Sequence, residues 1–206
     1  MPELYGPAAG EWQPLHPREA VLLVNALRVP WWIAGGWALD LFLGTQSRAH
    51  KDLDVGILRR DVSEALSALP GWEFFEARDN RLLRLHSGEL PRANVHSLWG
   101  RPAGATRWFL EILLDESEGD RWIFRRQRQI TLPLGAVIRH SSKNIPYLAP
   151  EIQLLYKARG IRQEDQADFE RVAPRLDASA LAWLRHGLRI VHPDHPWVSL
   201  LDHGGG

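Results

Sequence analysis

The chain has 206 residues, with 25 basic and 25 acidic side chains and no cysteine. Balanced charge argues against a general nucleic-acid binder, which normally carries a basic excess, and a chain without cysteine forms neither disulfides nor thiolate metal sites. No apolar run approaches membrane-spanning length, and the first residues lack the pattern of a signal peptide. We therefore expect a cytoplasmic protein that acts on a small molecule.

The most informative stretch runs from Trp31 to Leu58. It follows a helix predicted to begin at Pro17, since proline favours the first helical position. Its pattern predicts a short strand over 31–34, a turn at Gly35-Gly36 and a short helix that ends at Gly44. A basic loop and a second strand follow. This order is typical of a functional site at the edge of a sheet.

Two acidic residues open that second strand. Because side chains alternate along a strand, Asp52 and Asp54 should point to one face. Neighbouring carboxylates repel each other unless a cation lies between them, and Mg²⁺ binds carboxylates together with phosphate oxygens. Gly35-Gly36 would let N–H groups at a helix start approach a phosphate, and Arg48 adds a charge that binds phosphate. An ordinary turn and a solvated acidic loop are the alternatives, and the combination favours the site.

The remainder of the chain predicts strands first and helices afterwards. The segment from Asp61 to Glu64 has the pattern of a capping box. Turn residues then separate short apolar runs. The candidate strands are Glu73 to Ala77, Arg81 to Leu85, Asn94 to Trp99, Trp108 to Asp115, Trp122 to Arg126 and Ala136 to His140.

Helical patterns return after the strands, from Pro150, over 165–175 and over 178–189. His192 and His195 fall beyond them in a sequence typical of a terminal loop. Strands with helices gathered elsewhere predict an α+β fold with a mixed or antiparallel sheet. We expect a core over residues 1–145 and a C-terminal helical lobe over 146–206.

A third carboxylate is needed beside the first two, to hold a second ion or to take a proton. The strand over 108–115 offers Glu111 and Asp115, which lie about 13 Å apart and cannot serve one metal cluster. Glu111 lies in an apolar setting, where a charge needs a partner. Asp115 begins the acidic segment 115–120, where solvation accounts for it. Glu111 is the choice, and Asp115 remains the alternative.

These pieces, in this order, resemble the nucleotidyltransferase superfamily and in particular its aminoglycoside adenylyltransferase-like branch, the aminoglycoside 2''-nucleotidyltransferases and their relatives. The matching pieces are the glycine pair, LDLFLG, R-x-H-x-D-x-D, Leu110-Glu111-Ile112, RWIFRR at 121–126, APEIQLLYKAR at 149–159 and DQADF at 165–169. The superfamily pattern also has an acid between two apolar residues, which supports Glu111.

The resemblance implies a nucleotidyltransferase with Mg²⁺ as cofactor and ATP as donor, which moves AMP to a hydroxyl of a small molecule. Asp52 and Asp54 would hold two Mg²⁺ ions, and Glu111 would complete the inner ion or act as general base. The residues implied to hold the triphosphate are Gly35, Gly36, Arg48 and Lys157. From the pattern alone, Lys157 is equally well a surface lysine with a buried stem. Antibiotic-modifying members share these motifs with members of unknown substrate, so the motifs do not establish antibiotic resistance or an aminoglycoside acceptor.

Other polar residues have simpler explanations. Asp40 lies within a helix, where we expect it to pair with Arg48 or His50 and not to act in catalysis. The arginines at 121, 125, 126 and 128 are interpreted first as a solvated face and second as a nucleotide contact. Trp37 or Trp99 could line a substrate cleft.

Two rival functions remain. The first is a nucleotidyltransferase that modifies a protein or an RNA end, as toxin–antitoxin members of the superfamily do. The second is a binding module that holds nucleotide without turnover. Balanced charge counts against RNA, and the three intact carboxylates count against a silent module.

Overall fold

The structure is a computed structural model that describes residues 4–5, 10–160 and 162–203. Within these ranges no helix combines the length and apolar character needed to cross a membrane. The described residues form eleven strands and eight α-helices.

The strands are β1 (Leu4–Tyr5), β2 (Trp31–Ile33), β3 (Asp54–Leu58), β4 (Trp72–Arg78), β5 (Arg81–Leu85), β6 (Ser97–Pro102), β7 (Leu110–Glu118), β8 (Arg121–Ile123), β9 (Thr131–Pro133), β10 (Ile138–His140) and β11 (Pro146–Leu148). The helices are α1 (Pro17–Val24), α2 (Gly35–Leu43), α3 (Val62–Ser67), α4 (Leu134–Val137), α5 (Pro150–Lys157), α6 (Gln163–Val172), α7 (Ala178–Val191) and α8 (Pro196–His203).

All strands belong to one mixed sheet, whose main path runs β1-β5-β4-β6-β7-β3-β2-β11-β10. Strands β8 and β9 extend from β7 outside this path. The pairs β3–β7 and β2–β11 are parallel, and the other pairs are antiparallel. The predicted α+β class with a mixed sheet is confirmed. The division into a core and a lobe at residue 145 stays a prediction. The first element beyond that boundary, β11, is itself a strand of the sheet.

The helix termini follow local sequence chemistry, with one exception. Proline opens α1 and α5, and Gly44 ends α2 in a left-handed conformation with φ 74°. The capping box predicted at Asp61 is wrong, because a 3₁₀ turn over Arg59–Asp61 runs into α3 and the Asp61 side chain makes no cap hydrogen bond. The described residues contain a capping box at α1 instead, formed by His16 and Glu19.

Helix α5 lies at the centre of the helical layer. Ile152, Leu154 and Leu155 join a core that extends from β2 and β3 to α7. Gln153 and Lys157 of the same helix are also buried. Burying an amide and an ammonium is costly unless each finds a partner, and both find partners at the site described below.

Five elements escaped the sequence analysis: β1, β9, β11, α4 and α8, of which α4 takes residues 136 and 137 of the strand predicted over Ala136 to His140. Strands β9 and β11 have three residues each, too few to show a period. Helix α8 follows the segment interpreted as a terminal loop: His192 and His195 lie in the loop that joins α7 to α8, where His195 is buried and its Nδ1 accepts a hydrogen bond from the Trp197 backbone N–H at 3.1 Å.

Candidate functional site

Two carboxylates lie side by side where β3 and β7 begin their parallel pairing. Asp54 and Glu111 are direct register partners, and both are half-buried. Removal from water raises the pKa of Asp54 well above its usual range, with the charges of Glu111 and Asp52 adding to the effect. Burial likewise raises the pKa of Glu111 to about 7, although a hydrogen bond of 2.6 Å from Ser97 Oγ opposes the shift. This pair therefore calls for a cation.

Asp52 comes next to the pair from the loop before β3, and its side chain is exposed. Its charge raises the pKa of both Asp54 and Glu111, so the three carboxylates share one region. No group of three or more potential ligands within the described residues is assembled closely enough to hold an ion by itself. Mg²⁺ commonly uses one or two carboxylates and completes its coordination with water and phosphate oxygens. The oxygen donors of Asp54 and Glu111, with Asp52 beside them, fit that chemistry.

Gly35 must be glycine for two reasons. Its φ is 62°, a conformation that disfavours side chains, and a Cβ at this position would overlap the Asp54 carboxylate. The Gly35 N–H donates to Oε1 of the buried Gln153 at 2.8 Å. The first turn of α2 is thereby fixed against both β3 and α5.

Gly36 is required by side chains that pack on it. A Cβ there would overlap the Arg48 guanidinium and lie 2.6 Å from the His50 ring. That ring lies against Trp37, with centroids 4.3 Å apart, and His50 Nε2 is 2.6 Å from Asp40 Oδ2. Burial raises the pKa of Asp40, but hydrogen bonds from His50 and Ser47 outweigh it and lower the pKa. Asp40 thus pairs with His50, one of the two partners expected for it.

Lys157 lies inside a network of ion pairs that joins the site to α6. Its Nζ is 2.8 Å from Asp165 Oδ1 and 3.0 Å from Asp168 Oδ2. Arg48 Nη2 reaches the same Asp168 at 3.3 Å, and Arg162 Nε reaches Asp165 at 2.7 Å. The surface-lysine interpretation is wrong, since the Lys157 side chain is only 7% exposed. Its charge also opposes the rise in the pKa of Asp54.

Replacing Lys157 by methionine is expected to cost about 3–5 kcal/mol of unfolding free energy, because it leaves two buried carboxylates without their shared cation. Urea denaturation measures this loss. The matched control is Lys143→Met at an exposed position, where a change within about 0.5 kcal/mol is expected. A loss below about 1 kcal/mol for Lys157→Met would contradict the network.

A cleft of about 630 Å³ lies between the sheet and the helices. Six of the seven residues predicted for the site line it: Gly35, Gly36, Arg48, Asp52, Asp54 and Lys157. Glu111 stands beside Asp54 on the neighbouring strand. The cleft is also lined by Asp115, Arg125, Arg126, Tyr156 and Arg159. The predicted residues are thus brought together at one cleft.

Asp115 is buried, which corrects the expectation of a solvated acidic segment. Strand β7 continues to Glu118, so Asp115 is an interior residue of the strand. Its carboxylate accepts hydrogen bonds of 3.0 Å from Trp122 Nε1 and from the Tyr156 hydroxyl. Burial raises the pKa of Asp115 to about 6, although these two bonds lower it in part.

Asp115 should make stability depend on pH. The carboxyl titrates near 3.8 in the unfolded chain and near 6 in the folded one, so the folded state binds more protons between these values. Stability should therefore fall as pH rises from about 4 to about 6, by on the order of 3 kcal/mol. Urea denaturation across this range should give a flatter profile for Asp115→Asn than for the wild type. Identical profiles would contradict the burial of this charge.

The basic run that begins in β8 divides between the surface and the cleft. Arg121 and Arg128 lie on the surface, with hydrogen bonds to Thr131 and Glu118. The solvated-face interpretation is wrong for Arg125 and Arg126, which are half-buried in the cleft wall. Neighbouring residues of this irregular segment lie on the surface or in the cleft. Because the segment has no regular period, its sequence pattern does not predict which.

The tryptophan that lines the cleft is Trp32, while neither Trp37 nor Trp99 is among the lining residues. Gly56 of β3 makes room for it: a Cβ there would lie 2.8 Å from Trp32 Cδ1. Trp99 packs against Trp108 instead, with ring centroids 5.6 Å apart.

Sequence reasoning missed three residues that support the site. Ser97 donates to Glu111, Gln153 accepts from Gly35, and Tyr156 donates to Asp115. Polar residues at core-facing positions of β6 and α5 were the available signal. Their partners lie 14 to 118 residues away in the chain, which local patterns do not identify.

Comparison with known proteins gives matches in sequence and in fold. A family model described as aminoglycoside-2''-adenylyltransferase matches residues 18–107. A lincosamide resistance protein of Staphylococcus haemolyticus is 21% identical over 136 residues, which cover 65% of this chain and 77% of that protein.

Two solved structures share the fold. The solution structure of the antibiotic-resistance factor ANT(2'')-Ia matches with a TM-score of 0.55 and 14% identity, over 92% of this chain and 98% of that one. The lincomycin-bound lincosamide antibiotic adenylyltransferase LnuA matches with a TM-score of 0.53 and 17% identity, over 80% and 98%. The predicted resemblance is confirmed by these findings together.

Proposed function

From its resemblance to the aminoglycoside adenylyltransferase-like branch of the nucleotidyltransferase superfamily, we propose that this chain is a Mg²⁺-dependent nucleotidyltransferase that moves AMP from ATP to a hydroxyl of a small molecule. The observation that carries the proposal is the pairing of Asp54 with Glu111 in one register position, with the pKa of both carboxyls raised. Two ionised carboxylates this close together repel each other, and a bound cation would offset that repulsion. In this proposal, Asp54 and Glu111 form the metal site.

Asp52 and Asp54 would hold Mg²⁺, and Glu111 lies close enough to Asp54 to complete the inner site. When bound, the metal neutralises charge that develops on the transferring phosphoryl group. The triphosphate would be held by Arg48 and Lys157, together with N–H groups in the first turn of α2, which have no acceptor in their own helix. Since the Gly35 N–H already donates to Gln153, the N–H of Gly36 is the better candidate.

Glu111 is suited to act as general base. The bond from Ser97 Oγ orients its carboxylate, and a carboxylate within reach of the acceptor hydroxyl can take its proton. The acceptor hydroxyl would give its proton to Glu111 while its oxygen bonds to the α-phosphorus of ATP. The bond from that phosphorus to the bridging oxygen breaks, and pyrophosphate leaves.

The test is pyrophosphate release from ATP and Mg²⁺ with a panel of acceptors. Aminoglycosides and lincosamides belong in the panel because the matched relatives are named for them, and neutral polyols and hydroxy acids extend it. Release that requires one acceptor supports the proposal. Labelling of a protein or RNA from radioactive ATP, without release on small acceptors, would favour the macromolecular alternative. Nucleotide binding with no release at all would indicate a silent module.

A further inference from the structure

A row of side chains on one face of the sheet continues from the two carboxylates to a group of aromatic rings. Asp54 of β3 pairs with Glu111 of β7. Glu111 in turn pairs with Trp99 of β6, which pairs with Phe75 of β4. Residues directly opposite each other on neighbouring strands point to the same face, about 5 Å apart. Trp99 is therefore the neighbour of Glu111 on the side away from Asp54.

Trp99 belongs to a cluster of four aromatic side chains. Its ring centre lies 5.0 Å from that of Trp12 and 5.6 Å from that of Trp108. Trp108 and Phe75 are buried, whereas Trp12 and Trp99 are only half-buried. We call Trp12 and Trp99 the tryptophan pair. The pair presents apolar surface beside Glu111, and the two buried rings support it.

Two acidic residues flank the tryptophan pair, and both are already paired. Glu73 of β4 lies 2.6 Å from Arg84 and 3.4 Å from Arg101. Glu11, which precedes the first tryptophan of the pair in the chain, lies 3.0 Å from Arg107. The surface around the pair is therefore apolar, and the charges next to it are compensated.

The order of strands places the tryptophan pair and the proposed triphosphate site on opposite sides of the carboxylates. In the proposed function the triphosphate lies at the first turn of α2, near Gly36 and Arg48. Helix α2 follows β2, which pairs with β3 on the side away from β7. Trp99 lies on β6, beyond β7 in the other direction. A compound whose hydroxyl reaches Glu111 would therefore have the nucleotide on one side and the tryptophan pair on the other.

We infer that the acceptor is an amphiphilic hydroxy compound, whose hydroxyl reaches Glu111 and whose apolar part packs on Trp12 and Trp99. The inference rests on the proposed function, because that function makes Glu111 the group that receives the hydroxyl proton. Tryptophan offers a large and rigid apolar face, and covering this face removes apolar surface from water. The apolar part of the acceptor thus supplies affinity, and it fixes the position of the hydroxyl relative to Glu111.

The tryptophan pair should favour amphiphilic acceptors over polycations that lack an apolar part. A cation can bind the face of a tryptophan, but the gain is small at a solvent-exposed site. The carboxylates that flank the pair are occupied by arginines, so ammonium groups would have to displace these partners. Lincomycin, which is amphiphilic, should therefore bind more tightly than tobramycin, which is a polycation without an apolar part.

The experiment measures binding of lincomycin, phenyl β-D-glucoside and tobramycin by calorimetry. The protein is first saturated with Mg²⁺ and α,β-methylene ATP, so that the triphosphate position is filled. We expect Trp12→Leu and Trp99→Leu each to weaken binding of lincomycin and of the glucoside about 10-fold, as loss of a covering ring implies. Trp99→Phe keeps an aromatic face and should lose less. Trp183→Leu, at a half-buried tryptophan of α7, is the matched control and should leave binding unchanged.

Lincomycin binding that is unchanged in both leucine variants of the pair would overturn the inference. Binding of neither amphiphilic probe by the wild type, or tighter binding of tobramycin than of lincomycin, would overturn it as well. A wild-type dimer that Trp99→Leu dissociates, measured by sedimentation, would assign the pair to a second copy of the chain and also overturn the inference.

Affinity for the ATP analogue separates loss of the acceptor site from misfolding, because it should stay at the wild-type value in every variant. If Trp99→Leu fails to fold, Trp99→Phe and Trp12→Leu decide the result. Failure of the analogue to bind to the wild type would overturn the proposed function, while tryptophan-dependent lincomycin binding in the same sample would still support an apolar binding site.

Discussion

Asp54→Asn is expected to lower pyrophosphate release by about 10²–10³-fold and, at the same time, to raise the melting temperature of the metal-free protein. Activity falls because the amide carries no charge to hold Mg²⁺. Stability rises because burial and the charge of Glu111 make an ionised Asp54 unfavourable in the folded state. A folded-state pKa above the unfolded value means that stability is lost as pH rises, so the gain in Asp54→Asn should grow with rising pH. Each 1 kcal/mol recovered should raise the melting temperature by about 2–4 °C.

The control for this prediction is Asp79→Asn, which removes the same charge from an exposed turn. It should leave release unchanged and shift the melting temperature by little. Adding Mg²⁺ should stabilise the wild type more than Asp54→Asn, which separates ion binding from a general charge effect. A stability loss in Asp54→Asn would contradict the carboxylate repulsion, and full activity would contradict the metal role of Asp54.

Gly35→Ala is expected to lower activity by about 10²-fold, the cost of a misplacement near 1 Å, and to lower stability by about 1–3 kcal/mol. The added methyl overlaps the Asp54 carboxylate and forces a side chain into φ 62°. Pyrophosphate release and urea denaturation measure the two effects. The methyl should displace Asp54, so the response of the melting temperature to Mg²⁺ should also weaken.

Gly44→Ala is the matched control, because Gly44 has φ 74° but its Cβ would meet nothing within 4 Å. It carries the conformational cost of about 1 kcal/mol without the overlap, and should keep wild-type activity. Equal activity losses in the two variants would show that backbone strain, and not contact with Asp54, is the cause.

The sequence predicted the elements whose signals are local. Proline at the start of α5 and glycine at the end of α2 predicted these helix limits. Asp52, however, was predicted within the second strand and lies in the loop before β3, which begins at Asp54. The order of motifs then indicated the resemblance that the comparisons support. Glu111 was distinguished from Asp115 by its apolar setting, and the structure pairs Glu111 with Asp54 in register. Even so, Asp115 proved buried as well, because β7 is longer than its apolar run.

What escaped prediction depends on contacts distant in the chain. Lys157 on an amphipathic helix could face water or core, and only the positions of Asp165 and Asp168 decide between them. Likewise Arg125 and Arg128 are alike in sequence, but one faces the cleft and the other Glu118. Hydrophobic periodicity predicts which face of a helix or strand a residue occupies, but it does not identify the residues that pack against that face.

The hydrogen bonds that join α2 and the loop after it to α5 and α6 have a consequence for synthesis of the chain. Gly35 is held by Gln153 and Arg48 by Asp168, pairs separated by 118 and 120 residues. Contacts of such separation form late, since the intervening chain must be ordered first. On the ribosome, β2, α2 and β3 emerge before α5 and α6, so the end of the sheet that carries the proposed metal site cannot acquire its final geometry until both helices have emerged. Nascent and truncated products that lack α5 and α6 should therefore lack these contacts and the geometry that depends on them.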